Sequence, residues 1–185
     1  MNPIKRPLQT SRFTVAMVAA SLAVLVPLGA VNAQTCVGTI RPSNPSSVYV
    51  VDTANGLVTD TRTGLMWDRC PSGLSGAGCT VGTYTTATWV GALNLAVSYN
   101  TSSYKGYADW RVPNFKELRS LVEECAASPS INDVVFPNTP LAFFWSVSPD
   151  VNGVANSMAV YFGSGEGVAR TRTTAQVIRM VRAGQ

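Results

Sequence analysis

The 185-residue chain contains no histidine. Imidazole is the usual base for a nucleophilic serine or cysteine and the commonest zinc ligand. Hydrolysis through a histidine-based triad and every zinc site that needs imidazole are therefore excluded. Charge is also sparse, with Asp, Glu, Lys and Arg making up 13% of the residues. Of the 14 Lys and Arg, three (Lys5, Arg6 and Arg12) precede an apolar run from Thr14 to Ala30 that ends in "VNAQ". This pattern predicts a secretory signal peptide over residues 1–33, with Val31 and Ala33 at the cleavage site and Gln34 as the first mature residue. Its apolar core is short for a membrane span, so no spanning segment is expected after cleavage. The remainder, about 150 residues, amounts to one domain. It keeps eleven basic residues against ten acidic ones, which gives no electrostatic basis for binding nucleic acid.

Cysteine is scarce but even in number: Cys36, Cys70, Cys79 and Cys125. In an exported chain that count reads as disulfides rather than metal or redox chemistry. Of the three pairings, Cys70–Cys79 closes the flexible loop "PSGLSGAG", which leaves Cys36–Cys125 to staple the N-terminal arm onto the domain. "AQTC" lacks the small residue required before a lipid-attachment cysteine, so the expected product is a soluble exported protein, periplasmic or extracellular.

Residues 34–47, rich in Pro, Ser and Asn, read as an extended arm, and residues 48–185 as the domain. "VYVVDTANGLVTDTRTGLMW" predicts two or three short antiparallel strands, with a tight turn at Asn55-Gly56 and another at "TRTG". Trp89, Leu93 and Val97, with Ala92 and Ala96 alongside, predict an amphipathic helix beginning near Thr85 or Thr86. In "GYADWRVPNFKEL", Asn114 and Glu117 have capping-box spacing and Pro113 with Leu118 suits a staple. The helix so started should bury Phe115, Leu118, Leu121, Val122 and Cys125. Trp110 reads as core, and Asp109 and Arg111 as partners of each other or of nearby backbone. An irregular stretch, "AASPSINDVVFPNTPLA", follows. Strands resume in "FFWSVSP", in "NSMAVYFGSGEGVAR", which turns at Gly163 to Gly167, and in "AQVIRMVR".

Few residues suggest chemistry. Glu123 and Glu124 are adjacent on a helix and point about a hundred degrees apart, so they cannot form the facing carboxylates of a glycosidase. Both are expected in solvent, or one holding a basic neighbour. Asp52, Asp60 and Asp68 are separated by strand residues, unlike the dense oxygen ligands of a calcium loop, and read as turn and edge residues. Trp67, Trp89, Trp110 and Trp145 read as core. Tyr104, Tyr107 and Tyr161 are the aromatics better placed for exposure. Arg170, Arg172, Arg179 and Arg182 form a basic cluster, with Arg170 and Arg172 on one strand face. It suits either a grip on sulfate or carboxylate or a charged face that discourages edge aggregation. No catalytic residue, metal ligand or cofactor is assigned.

Four separated segments, "GLVTDTRTGLMWDRC", "GYADWRVPNFKELRSLVEECAASPSIND", "FPNTPLAFFWSVSP" and "VIRMVRAGQ", resemble the Lcl C-terminal domain family of bacterial exported proteins, from about Asn55 to Gln185. "DWRVPNFKEL" is similar to the Trp-Arg-Leu-Pro segment that opens a helix in the formylglycine-generating group. The resemblance implies an α+β, C-type-lectin-like fold: two helices packed on short twisted antiparallel sheets, with long loops and disulfide staples. The fold does not supply an activity. The family's namesake is a surface adhesin whose terminal domain binds sulfated polysaccharides. This chain departs from the family in having Trp145-Ser146-Val147-Ser148-Pro149 for the common "WSSSP", a tyrosine-poor "VYFGSGEGVARTRTT", and no collagen-like stalk.

The expected function is a non-enzymatic exported domain that binds an anionic glycan or another surface ligand, with Tyr107 and Tyr161 giving apolar contact and Arg170 and Arg172 giving charge-assisted bonds. An assembly subunit of a surface complex is the alternative. A thiol oxidase of the formylglycine-generating type is a third reading and requires a reactive Cys70 and Cys79.

Overall fold

The computed structural model describes residues 36–184. The expected signal peptide and the first two residues of the arm lie outside the described residues. The fold is α+β. In chain order come β1 (Tyr49–Asp52), β2 (Leu57–Asp60), β3 (Leu65–Asp68), β4 (Leu74–Ser75), β5 (Val81–Gly82), β6 (Thr86–Ala87), α1 (Trp89–Thr101) and α2 (Phe115–Arg119). They are followed by β7 (Phe143–Pro149), β8 (Asn156–Tyr161), β9 (Glu166–Thr171), β10 (Gln176–Val177) and β11 (Val181–Ala183).

The first sheet has the order β1-β2-β3-β11. Asp52 pairs with Leu57 and Asp60 with Leu65, so both hairpin loops hold four residues. The fourth is glycine in each, with φ of 66° at Gly56 and 68° at Gly64, a region that a β-carbon disfavours. The turn at Asn55-Gly56 is thus wider than predicted. Asp52 fastens it by accepting from the Asn55 backbone N–H (3.0 Å) and Nδ2 (2.7 Å).

The second sheet runs β6-β10-β7-β8-β9. Its one departure from the antiparallel expectation among the described strands is the parallel pairing of β10 with β7, Val177 opposite Phe144. β6 explains why α1 starts later than predicted: Thr86 and Ala87 pair with Val177 and Gln176. The helix begins at Trp89, capped by Thr88, whose Oγ1 accepts from Gly91 N–H. Ala92 and Ala96 are buried on its inner face, whereas Val97, expected inside, is 63% exposed. β4 and β5 form a small hairpin beside the Cys70–Cys79 disulfide.

The capping box of α2 is present as read: Asn114 Oδ1 accepts from Glu117 N–H and Glu117 Oε2 from Asn114 N–H. The helix is only five residues long, but Leu118, Leu121, Val122 and Cys125 are buried as expected. Past Ser120 the backbone tightens, with Leu121 N–H donating to Leu118 O and Val122 N–H to Arg119 O, and Glu123 corrects the expectation of a solvated carboxylate. It is fully buried. Its oxygens accept from the backbone N–H groups of Ser43 (2.8 Å), Asn44 (2.8 Å) and Cys125 (3.1 Å), and its own N–H donates to Ser130 O. Glu123 therefore anchors the arm close to the Cys36–Cys125 disulfide. That cross-link spans 89 residues, a loop closure worth about 4.6 kcal/mol in the chain-entropy view. Glu124 is exposed and pairs with Arg119 at 3.3 Å.

Gln176 to Arg182 is buried throughout and joins the two sheets through β10 and β11. Val177 and Val181 belong to a core with Val58, Trp67, Leu118, Phe136 and Phe144. Ile178 and Met180 belong to a second core with Trp110, Trp145 and the alanines of α1. On the far side of β11, Arg111 exchanges backbone bonds with Val181 at 2.9 and 3.0 Å. The "DWRVP" segment is thereby pinned to the sheet.

Candidate functional site

Strand alternation places three of the four residues chosen for ligand contact on one face of the second sheet. Phe143 is opposite Tyr161, and Ser157 is opposite Arg170. The Phe143 and Tyr161 rings lie 4.8 Å apart, and Arg170 Cζ sits 4.5 Å over the Phe143 ring. Arg172, just beyond β9, lies 4.4 Å over the Trp89 ring and donates from Nε to Ser157 Oγ at 2.8 Å. Trp89 is itself held by Nε1–H to Ser146 O (3.0 Å) and by its backbone N–H to Arg172 O (2.9 Å). Trp67, Trp110 and Trp145 are core as expected, but Trp89 is only half-buried and serves as a platform for arginine.

A guanidinium stacked on a ring loses little further freedom when it grips a planar oxyanion, and its edge still presents donors. Arg172 has spent its Nε on Ser157, which leaves its terminal nitrogens. Arg170 Nε is buried and has no hydrogen-bond partner among the described residues. On the opposite side of β9, Gly167, Ala169 and Thr171 are exposed, and a β-carbon at Gly167 would meet the Phe115 ring at 2.4 Å.

Tyr107 is elsewhere. Its ring lies 3.9 Å from Arg182 Cζ, and Arg182 Nε donates to Asp109 at 2.6 Å. Asp109 therefore pairs with Arg182 rather than Arg111, which instead forms a two-pronged pair with Glu117 at 2.7 and 2.8 Å. The four-arginine cluster also divides. Arg179 is fully buried, lies over the rings of Phe136 and Phe144, and donates to the carbonyls of Asp68 and Arg69 and to Thr139 Oγ1. Burial lowers its pKa to about 10, against the pull of Asp68. β10 lies inside the second sheet and the free side of β11, last in the first sheet, is bridged by Arg111, so Arg179 and Arg182 are inside.

Asp60 and Asp68 are also fully buried, unlike the turn and edge residues expected, whereas Asp52 fits that reading. Asp60 accepts from Arg62 N–H (2.9 Å). Burial raises the Asp68 pKa, with Lys105 opposing. Lys105 Nζ donates to Asp68 Oδ1 at 2.8 Å and to Gly56 O at 2.7 Å. The Tyr104 phenol is raised by burial and then by the charge of Asp68. This group borders a recess of about 160 Å³ lined in part by Thr53, Asn55, Ser75 and Lys105. Its members are far apart in sequence, and nothing in the periodicity around Lys105 marks it.

All four cysteines are paired. Cys36, Glu123 and Cys125 cluster closely, but both sulfurs are in the disulfide, so this trio offers one carboxylate and no thiolate. No helix of the described residues is long and apolar enough to cross a membrane.

Residues 56–182 match the model of the Lcl C-terminal domain, and the chain belongs to that family. No curated protein matches the chain.

Proposed function

We propose that this member of the Lcl C-terminal domain family is an exported, non-enzymatic, C-type-lectin-like domain that binds an anionic glycan through the outer part of β9. The observation that carries this reading is the pair of arginines, Arg170 and Arg172, laid on Phe143 and Trp89 on one sheet face beside Tyr161. Sulfate and carboxylate groups along a polysaccharide present planar or tripodal oxygens that such donors match, and charge-assisted bonds are the strong ones. The sulfated-polysaccharide binding that the family resemblance implies has the same chemistry. Export is supported by the leader-like sequence and by two disulfides, which persist in oxidising compartments. Tyr107, held by Arg182 away from this face, is not included.

The test is retention on a sulfated-polysaccharide column at low salt, with the fold verified by circular dichroism. Retention that falls on raising salt supports the reading, and a folded protein in the void volume rejects it. The assembly reading has one specific observation in its favour. Val151 and Val154, at the tip of the β7–β8 loop, are 92% and 93% exposed, more than a solvated loop requires. Co-purification of a partner chain that is lost on Val151→Ser/Val154→Ser substitution would favour that role.

A further inference from the structure

The recess beside Lys105 lies outside the β9 face and plays no part in the binding proposed there. One wall is the β1–β2 loop with Thr53 and Asn55. Ser75 and Gly76 of the disulfide-closed segment form another, and Lys105 completes the lining.

The backbone is bent to put Lys105 there. Ser103, Lys105 and Gly106 all have left-handed φ, at 49°, 52° and 84°. A run of such residues persists only where the surroundings hold it, and it clusters at functional sites. Here the hold is the ammonium on Gly56 O and Asp68 and its position 5.3 Å from the Tyr104 ring. Gly56 leaves the needed space: a β-carbon there would come 2.7 Å from Nζ. An ammonium has three donors. Two are spent, which leaves one for an occupant.

Charge narrows the ligand class. Asp68 already balances Lys105, and Asp52, the other carboxylate at this loop, is turned onto Asn55. The recess therefore offers the Lys105 ammonium, the hydroxyls of Thr53 and Ser75 and the amide of Asn55 without unbalanced positive charge. It suits a neutral ligand with many oxygens better than an anion. Size narrows it further. The recess, about 160 Å³, is well above the space one water needs and has room for one small ring. The bare backbones of Gly56 and Gly76 let a ring face approach.

We propose that this recess binds one neutral hydroxylated ring of about hexose size, with Lys105 Nζ donating to a ring hydroxyl and Thr53, Asn55 and Ser75 completing the polar contacts.

The experiment titrates ¹⁵N-labelled protein with the methyl glycosides of glucose, galactose and mannose, with myo-inositol, and with glucuronate as the charged analogue. The expected result is saturable movement of the amide signals of Asn55, Gly56, Ser75 and Gly76 with at least one neutral probe, and weaker binding of glucuronate. Ser75→Trp fills the recess from an exposed position without touching the Lys105–Asp68 pair, and it should weaken binding about tenfold or more. Lys105→Met, with its fold checked by the same spectrum, should also weaken it. Arg170→Ala/Arg172→Ala should leave these shifts unchanged, so this proposal and the β9 reading fail separately. No movement with any neutral probe at tens of millimolar, tighter binding of glucuronate, or unaltered binding by Ser75→Trp would each overturn the assignment.

Discussion

Arg172 and Trp89 hold each other twice: the guanidinium lies 4.4 Å from the indole ring centre, and Trp89 N–H donates to the Arg172 carbonyl at 2.9 Å. The start of α1 is thereby fastened to the end of β9, and a cation is set on a rigid aromatic base. Replacing Arg172 by Lys keeps the charge but loses the planar stacking and the fixed fork. Arg172→Lys should lower affinity for a sulfated glycan severalfold in a protein whose circular dichroism is that of the parent. Equal affinity of the two proteins in a direct binding titration would show that charge alone matters.

Trp110 is a test of the fold rather than of binding. It is 2% exposed, its indole N–H donates to Tyr104 O at 2.8 Å, and its backbone is clasped by both ends of the Asn100 amide. Trp110→Ala should cost about 3–5 kcal/mol in urea unfolding. A loss below about 1 kcal/mol accompanied by lost glycan binding would return "DWRVP" to the functional surface.

Glu123 anchors the arm by taking the backbone N–H groups of Ser43 and Asn44. Glu123→Ala removes an acceptor from donors that remain at least partly buried, at about 1–3 kcal/mol. Hydrogen exchange of those two amides should accelerate far more than that of Val58 in β2. Uniform acceleration across the domain would mean that the arm has no local hold.

Glu117 gives a pH signature. Burial alone would raise its pKa, but the bonds from Arg111 and from Asn114 N–H outweigh this and hold the carboxyl below its usual range. A depressed folded pKa contributes stability that is present above the ordinary carboxylate value and is lost as pH falls through the folded one. Glu117→Gln keeps the N3 cap but loses the charged pair with Arg111, so it should be less stable than the parent at pH 7 by up to about 1 kcal/mol. The gap should close as the solution is acidified past the carboxylate range. A gap that stays constant from pH 7 to pH 3 would remove Glu117 from the linkage.

Local signals in the sequence were reliable where the interaction is local. The capping box at Asn114 and Glu117 needs only three residues and is present as read. Glycine at the turns and the buried stripe of α2 follow from the same short-range physics. The disulfide pairing rests on a short loop and elimination, and the structure has both bonds. Long-range placement was not legible. β6 claims the first residues expected of α1 because β10, almost ninety residues later, supplies its partner. Arg179 looks like one of four surface arginines, yet the same strand pattern lies between two cores, where aromatic rings and backbone carbonyls receive it. Glu123 sits in an apolar-looking turn whose partners come from the arm, and Lys105 has partners in two separate loops. Of the candidate site, alternation placed Arg170 and Arg172 on one face, but Trp89 and Phe143 beneath them required the fold.

The most direct test of the central claim is calorimetric titration of a sulfated polysaccharide, and of its desulfated form, into the parent protein and Arg170→Ala/Arg172→Ala at two salt concentrations. The account predicts binding of the sulfated form only, weakened by salt, and reduced about tenfold or more in the double variant, whose fold is verified by circular dichroism because Arg172 also holds Ser157 and Trp89. Equal affinity of parent and double variant, or equal binding of sulfated and desulfated chains, would contradict it.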